Sequence, residues 1–305
     1  MTTQSKTFRA AVVIEPGEPD AIQYVDVPVV DLEPGQVRVA VAAAVVNPVD
    51  LVVRGGFLHE LGLIRQPEHT GLGWDFSGTV LEAASDVDLA PGTRVAGLIG
   101  GFDRDFGTYA EQVVLPAADV AVVPDGLDLV DAATVPLNAL TAAQLVDLLG
   151  DGAGRSLLVT GAAGAVGGYV VPFALERGWR VTGLARATDE EFVRALGADV
   201  ITEPTGGWDA VADPAVLQER AVALVRDGGQ FVGVQSSAVP ASERGVDVRA
   251  VAVQPDGART VGLLERTASG ELPARVAAVL PLSDAAEAHR AVAKGGVRGR
   301  YVLQP

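Results

Sequence analysis

A short loop between two apolar segments carries the clearest chemical signal in the sequence. Residues 157–160 form an apolar run typical of a buried parallel strand, and small residues follow at Gly161, Gly164 and Gly167. This spacing permits a tight turn, close approach of the backbone to a pyrophosphate, and packing of the next helix on the strand. The helix predicted over 165–177 would direct its N-terminal amides and its dipole at the loop, which favours an anion there. Taken alone, the glycine pattern is equally compatible with a simple strand-to-helix turn.

The segment that follows bears on which dinucleotide would bind. A second strand is predicted over 179–185, followed by a helix that begins at Thr188 with a capping box to Glu191. The end of this strand normally meets the adenosine ribose, and an acidic residue there indicates NAD. This chain has Arg186 and no carboxylate at that point, which favours a 2′-phosphate on the ribose and therefore NADP(H). The alternative for Arg186 is a solvated surface cation.

The composition limits the class of protein and its partners. The chain has 305 residues, of which 49% are hydrophobic, and its formal charge is −16. These values favour an α/β protein of two domains, bound neither to nucleic acid nor to an anionic membrane. Cysteine is absent, which excludes thiol nucleophiles and cysteine-bound zinc. His59, His69 and His289 are far apart in sequence, so no metal site is predicted. The N-terminus lacks the apolar core of a signal peptide, so we expect a cytoplasmic protein.

A second candidate site lies in the first third of the chain. A strand with period-two alternation over 37–46 ends at Asn47-Pro48, a short helical turn follows over 49–54, and two glycines stop it. Asn47 and Asp50 are therefore predicted on a rigid loop at the end of a strand, where reactive groups are often placed. The alternatives are that Asn47 only forms a turn and that Asp50 only pairs with Arg54.

Several short motifs follow one another along the chain, each occurring once. They are Asn47-Pro48-Val49-Asp50 with Arg54-Gly55, Gly73-Trp74-Asp75-Phe76-Ser77-Gly78, Gly107-Thr108-Tyr109-Ala110-Glu111, Pro136-Leu137-Asn138-Ala139-Leu140-Thr141-Ala142, the glycine loop, Leu196-Gly197-Ala198-Asp199 and Gly299-Arg300-Tyr301-Val302-Leu303. In these motifs the chain resembles the medium-chain dehydrogenase/reductase superfamily, specifically its zinc-free quinone oxidoreductase-like branch.

The resemblance implies an α/β fold in two parts. One is a GroES-like β-barrel domain, predicted over 1–122 and completed by about 257–305, which would carry the catalytic residues. The other is a Rossmann domain with a doubly wound parallel sheet, predicted over 123–256, which would bind NADP(H). The strand predicted over 230–235 agrees with the second part independently. Members of the family are commonly homodimers, so the resemblance also implies a homodimer.

The resemblance also assigns roles to residues. Asn47 would lie beside the nicotinamide ribose and Thr141 near the nicotinamide, and with Asp50 they form the predicted catalytic group. Thr141 has the alternative of bonding back within its own helix, and Asp75 is as compatible with bracing a loop as with touching substrate. The predicted cofactor-binding residues are Asn47, Thr141, Gly161, Ala163, Gly164, Ala165, Val166 and Gly167, with Arg186 on the 2′-phosphate and Val234 and Gln235 on the nicotinamide side.

The substrate class is inferred from what the chain lacks relative to the family. Zinc-dependent relatives have cysteine and histidine where this chain has Asn47 and Trp74 or Asp75, which removes the Lewis acid used for simple alcohols. Reduction of a quinone or an activated C=C bond of an enone needs only a placed hydride and stabilisation of negative charge. Many quinone-reductase-like members carry a tyrosine after the Asn-Pro loop. This chain has Val52, Phe57 and Leu58 there, so a proton would come from solvent.

Three functions therefore remain open from the sequence. The first is an NADPH-dependent, zinc-independent reductase of a small-molecule quinone or enone. The second is a biosynthetic enoyl reductase dedicated to one metabolite. The third is a non-catalytic NADPH-binding sensor or structural protein.

Overall fold

The computed structural model describes residues 7–296 and 298–305. Its backbone contacts divide the chain into two compact units. The first unit comprises the chain up to Leu137 together with Pro255–Pro305, and the second unit comprises Asn138–Gln254. The division thus falls after Leu137 and after Gln254, whereas the sequence places it after 122 and after 256. Among the described residues, no helix combines the length and apolar character needed to cross a membrane.

Strands and helices are numbered in chain order. The strands are β1 (Thr7–Val13), β2 (Ile22–Pro28), β3 (Gln36–Val46), β4 (Thr70–Gly71), β5 (Asp75–Ala83), β6 (Arg94–Leu98), β7 (Gln112–Pro116), β8 (Val120–Val122), β9 (Ser156–Thr160), β10 (Arg180–Leu184), β11 (Asp199–Ile201), β12 (Trp208–Asp213), β13 (Val225–Gly233), β14 (Asp247–Ala250), β15 (Val276–Pro281) and β16 (Arg300–Gln304). The helices are α1 (Pro48–Gly55), α2 (Phe57–Glu60), α3 (Leu129–Ala133), α4 (Pro136–Leu149), α5 (Gly167–Glu176), α6 (Glu190–Ala195), α7 (Glu219–Val222), α8 (Gly257–Ala268) and α9 (Ala285–Ala293).

The first unit is built mainly from antiparallel strands. A seven-stranded sheet has the order β15-β16-β3-β5-β6-β8, with β7 also pairing with β3, and a smaller sheet has the order β2-β1-β4. The alternating valines of β3 point into one core, since Val37 and Val39 are fully buried with Phe76 and Tyr109. Strand β16 near the C-terminus pairs with β3 through Tyr301 and Val46, so the end of the chain completes the sheet of the first unit.

The second unit is a parallel sheet of six strands in the order β11-β10-β9-β12-β13-β14. The winding reverses between β9 and β12, because the chain proceeds outward from β9 to β11 and then returns to the other side of β9. Leu158, Val211 and Phe231 from three neighbouring strands are fully buried together, as expected for strands covered on both faces. The carboxyl ends of all six strands lie along one edge.

One local expectation differs from the structure. The helix expected to begin at Thr188 begins at Glu190, and Thr188 lies in the 3-10 turn Ala187–Asp189, while the capping box to Glu191 stays a prediction. Strand β5 begins at Asp75, which pairs with Leu98 of β6. Pro136 begins α4, since the first position of a helix tolerates the missing N–H group.

Candidate active site

The glycine loop after β9 is shaped by backbone contacts that exclude larger side chains. Gly161 has φ +55°, and a Cβ atom on Gly167 would lie 2.2 Å from the carbonyl oxygen of Gly161. The N–H of Gly164 donates to that same oxygen at 2.7 Å. The Gly161 carbonyl oxygen therefore packs against the start of α5, and the backbone of residues 163–167 lies at the carboxyl edge of the sheet. The first N–H groups of a helix have no intrahelical acceptor, so this turn suits an anion.

The reversal point of the sheet lies beside this loop. The hydroxyl of Thr160, at the end of β9, donates to Asp213 Oδ1 at 2.5 Å, at the end of β12. The same hydroxyl accepts from the N–H of Ala215 at 3.2 Å. In open parallel sheets, ligands bind outside the carboxyl ends of the strands where the strand order reverses. Thr160 and the fully buried Asp213 join the two strands at that position.

The other cofactor-binding residues predicted in the second unit also follow carboxyl ends of strands. Arg186 follows β10 and its side chain is exposed. Val234 and Gln235 follow β13, and Gln235 Oε1 accepts from Gln218 Nε2 at 2.9 Å. Gln218 has φ +56°, which is unusual for a residue with a side chain, and its amide also donates to Ala238 O at 2.6 Å. The structure therefore brings the glycine loop, Arg186 and Gln235 to one edge of the sheet.

In the first unit, Asn47 and Asp50 are held together at the start of α1. The Asp50 carboxylate accepts from the N–H of Asn47 at 2.9 Å and from the N–H of Gly73 at 2.8 Å. Arg54 does not pair with Asp50, because its guanidinium donates to the carbonyl oxygen of Gly17. The alternative of a simple Asp50–Arg54 pair is thus wrong, and Asp50 instead joins the α1 loop to the turn before β5.

Asp75 holds the side chain of Asn47. The Asn47 Nδ2 group donates to Asp75 Oδ1 at 2.8 Å and to the carbonyl oxygen of Val45 at 3.3 Å. The other carboxylate oxygen of Asp75 accepts from the N–H of Leu137 at 3.3 Å. Asn47 is 1% exposed, and its side chain faces the N–H of Asp50 in a capping box at the start of α1. The buried amide of Asn47 therefore ties the end of β3 to α1 and to Asp75.

Both carboxylates titrate far from their usual range. Burial raises the pKa of Asp50 to about 6, against the hydrogen bonds from Asn47 and Gly73 that lower it. Burial likewise raises the pKa of Asp75 to about 7, opposed by the hydrogen bond from Asn47 and the charge of Arg300. Two carboxyl groups that exchange protons near neutral pH therefore lie on either side of Asn47, a pattern common at functional sites.

Behind Asp50 lies a buried pair that the sequence did not predict. The hydroxyl of Tyr109 is 3.3 Å from Asp50 Oδ2 and 3.3 Å from His289 Nε2. Burial lowers the pKa of His289 to about 3, so the imidazole is neutral at neutral pH. Tyr109 belongs to one of the motifs that carry the family resemblance, so the sequence held a signal for this residue. His289 has none, because its partner lies 180 residues away in sequence.

The segment over 100–107 is braced by Arg104. The guanidinium donates to the carbonyl oxygens of Ile99 at 2.9 Å, Gly101 at 2.8 Å and Gly73 at 2.6 Å. It also lies 4.6 Å from the centroid of the Trp74 ring. Trp74 is 4% exposed, and its Nε1 atom has no partner among the described residues. The segment is thus tied to the turn that carries Asp75.

Two remaining predictions concern Thr141 and metals. Thr141 lies in α4 and is 7% exposed, and its place at the nicotinamide stays a prediction. Within residues 7–296 and 298–305, no three histidine, aspartate or glutamate side chains are close enough together to hold a metal ion.

Fold and site together define a class. A six-stranded parallel sheet with a glycine cradle at its reversal point is a Rossmann-like dinucleotide-binding architecture, and the antiparallel first unit is of the GroES-like type. The family model for the alcohol dehydrogenase GroES-like domain matches residues 33–125. The model described as zinc-binding dehydrogenase matches residues 182–303.

Comparisons with individual proteins agree with this class. The chain is 30% identical to a structure described as an NAD-dependent alcohol dehydrogenase, with a TM-score of 0.82, covering 97% of this chain and 99% of that one. It is 27% identical to the quinone oxidoreductase of Coxiella burnetii, with a TM-score of 0.85, covering 98% of this chain and 100% of that one. The NADPH-dependent alkenal/one oxidoreductase of Arabidopsis thaliana is 29% identical over 77% of this chain and 64% of its own length.

The chain belongs to the medium-chain dehydrogenase/reductase superfamily, in its quinone oxidoreductase and alkenal/one reductase branch. Curated relatives of this branch are NAD(P)H-dependent oxidoreductases. The chain spans less than two thirds of the length of the curated relatives it matches, for example 58% and 64% of two plant reductases.

Proposed function

We propose that the chain is an NADPH-dependent reductase that transfers a hydride to a quinone or to the activated C=C bond of an α,β-unsaturated carbonyl compound. The observation that carries the proposal is the glycine cradle at the reversal point of the sheet. A Cβ atom at Gly167 would overlap the Gly161 carbonyl oxygen at 2.2 Å, so α5 begins in direct contact with the loop. The N-terminal amides of α5 then lie at the loop, where they favour a phosphate.

The residues described above fit a dinucleotide. In the second unit, we assign the pyrophosphate to the backbone of Gly161 and of residues 163–167, the 2′-phosphate to the exposed Arg186 and the nicotinamide side to Val234 and Gln235. In the first unit, we assign Asn47 to the nicotinamide ribose and Asp50 to the reacting groups. Thr141, which belongs to the second unit, we assign to the nicotinamide end of the cofactor.

When bound, the reduced nicotinamide supplies the hydride. The chain supplies position and electrostatics. Asp50 joins the Asn47 loop to Gly73 through 2.9 and 2.8 Å hydrogen bonds, which fixes the backbone around the reacting groups. Hydride addition to the β-carbon of an enone leaves an enolate, and water provides the proton that completes the saturated product.

Cofactor titration and turnover together test the proposal. The purified protein is titrated with NADPH and with NADH under fluorescence, and absorbance of the reduced cofactor is then followed with a panel of simple quinones and enones. Tight NADPH binding with turnover supports the proposal. Tight binding with no turnover on any member favours a dedicated biosynthetic substrate or a non-catalytic binder, and failure to bind either cofactor overturns the proposal.

A further inference from the structure

We propose that Gln218 is a positioning residue for the nicotinamide half of the cofactor, because its side-chain amide fixes the segment that follows β13. This segment comprises residues 234–239 and is called the β13 loop. Gln218 itself ends the turn over residues 214–218, between β12 and α7, which is called the β12 turn. The inference rests on the proposed function, since it takes the ligand to be a dinucleotide.

Gln218 adopts a backbone conformation that its side chain makes unfavourable. Its φ is +56° and its ψ is −122°, a combination that residues with a Cβ atom rarely adopt and that glycine adopts readily. Val216, two residues earlier, also has φ +56°. Backbone strain of this kind persists only where surrounding contacts enforce it, and it is concentrated at ligand-binding sites. The contacts of Gln218 therefore indicate what the strain achieves.

The β12 turn is held at the reversal point of the sheet. The N–H of Gln218 donates to Asp213 Oδ2 at 2.8 Å, and the other oxygen of that carboxylate accepts from the Thr160 hydroxyl at 2.5 Å. The turn also packs on the glycine loop, because a Cβ atom on Gly161 would lie 3.0 Å from the Cβ atom of Ala215. The backbone of Gln218 is thus fixed relative to the strand ends on which a dinucleotide would lie.

The side chain of Gln218 crosses from the β12 turn to the β13 loop. Its Nε2 group donates to Gln235 Oε1 at 2.9 Å and to the carbonyl oxygen of Ala238 at 2.6 Å. Its Oε1 atom lies over the end of β13, since a Cβ atom on Gly233 would be 4.0 Å from it. One amide therefore fixes both a side chain and the backbone of the β13 loop. Gln218 and Gln235 are both partly exposed at this edge of the sheet.

The position of the β13 loop indicates which part of the cofactor it meets. In a sheet of this winding, the strands on either side of the reversal point form two halves, and each half receives one nucleotide of a dinucleotide. The glycine loop and Arg186 lie in the half built from β9, β10 and β11, to which the pyrophosphate and the phosphorylated ribose are assigned. The β13 loop lies at the carboxyl edge of the other half, built from β12, β13 and β14. Gln218 therefore acts on the nicotinamide half and not on the adenosine half.

Isothermal titration calorimetry with two ligands tests the role of Gln218. NADPH spans both halves of the site, whereas adenosine 2′,5′-bisphosphate carries only the adenosine half. We expect Gln218→Ala to bind NADPH about tenfold more weakly than the wild type, the cost of ordering roughly one released backbone residue on binding. Its affinity for adenosine 2′,5′-bisphosphate should equal that of the wild type. An equal loss of affinity for both ligands, or a loss for neither, overturns the role of Gln218.

Gln218→Gly separates the lost contacts from a loss of stability. Glycine removes the amide but relieves the backbone strain, so this variant should unfold at a higher urea concentration than Gln218→Ala while binding NADPH equally weakly. Gln218→Gly protein that binds NADPH like the wild type overturns the proposal, even if Gln218→Ala fails to fold. The control Ala153→Gly relieves a φ of +48° before the opposite end of β9 and should leave both affinities unchanged. Wild-type protein that binds neither NADPH nor NADH overturns the proposed function instead, before any variant is compared.

Discussion

Replacing Gly167 by alanine tests the glycine cradle directly. The added Cβ would lie 2.2 Å from the Gly161 carbonyl oxygen and 2.9 Å from Ala162 Cα, more than 1 Å inside an ordinary contact with the oxygen. Both neighbours are backbone atoms, so relief requires the loop to move away from α5. Overpacking of this kind costs about 1–3 kcal/mol of unfolding free energy. Displacement of the anion-binding amides should also weaken NADPH binding by about ten- to a hundredfold.

A matched glycine separates this clash from a general effect of alanine. A Cβ atom on Gly262, inside α8, meets nothing within 4 Å, so Gly262→Ala should stabilise the protein by about 0.5–1 kcal/mol through helix propensity. Its cofactor affinity should equal that of the wild type. Denaturant unfolding and fluorescence titration of both variants provide the assay. If Gly167→Ala unfolds like the wild type and binds NADPH with the same affinity, the proposed cradle is refuted.

Three further predictions concern charge, pH and an unpartnered donor. Arg186→Ala should lower the preference for NADPH over NADH by about ten- to a hundredfold, whereas Arg180→Ala at the opposite end of β10 should leave it unchanged; titrations with both cofactors measure this. The pKa of Asp75 is raised above its unfolded value to about 7, so ionisation of this carboxyl group opposes folding. As the pH rises from 4 to 7, the free energy of unfolding of the wild type should therefore fall relative to that of Asp75→Asn, by at most about 1.4 kcal/mol per pH unit. Urea titrations of both proteins across this pH range measure the difference. Trp74→Phe should lower the free energy of unfolding by about 1–2 kcal/mol less than Trp179→Phe. Of these two indoles, only that of Trp179 donates a hydrogen bond among the described residues, from Nε1 to Gly150 O at 2.9 Å, whereas each ring is covered by its own arginine. Equal losses in denaturant unfolding would contradict this.

Local patterns predicted the elements well. The alternating valines of β3, the apolar run of β9 and the proline at the start of α4 each act through neighbours in sequence, so their structures could be predicted from short windows. The helix start predicted at Thr188 was wrong because a 3-10 turn precedes α6 and moves the helix start to Glu190. Helix boundaries depend on such last-turn geometry and are the least determined feature of a sequence pattern.

The candidate site was predicted only in part. Asn47 and the glycine loop carry local signals, a residue before proline and a spacing of small residues. The contacts of Asn47 with Asp75 and of Asp50 with Tyr109 join positions 28 and 59 residues apart. No short window contains both partners of either bond. For Asp75 the sequence left two roles open, and the hydrogen bond to Asn47 favours the one in which it braces a neighbour.

Some of the features that cost stability lie at the Asn47 loop and beside the reversal point of the sheet, and others lie elsewhere, such as the buried polar atoms of Arg38, Gln112 and Arg249 that have no partner among the described residues. At the Asn47 loop, Asp50 and Asp75 are buried carboxylates. In the second unit, Val216 and Gln218 have φ +56° in the segment that follows β12, beside the reversal point of the sheet. Each departure costs free energy that packing elsewhere must offset. The proposed function accounts for the buried carboxylates of the Asn47 loop and for the segment after β12, because a sequence selected for stability alone would replace these groups.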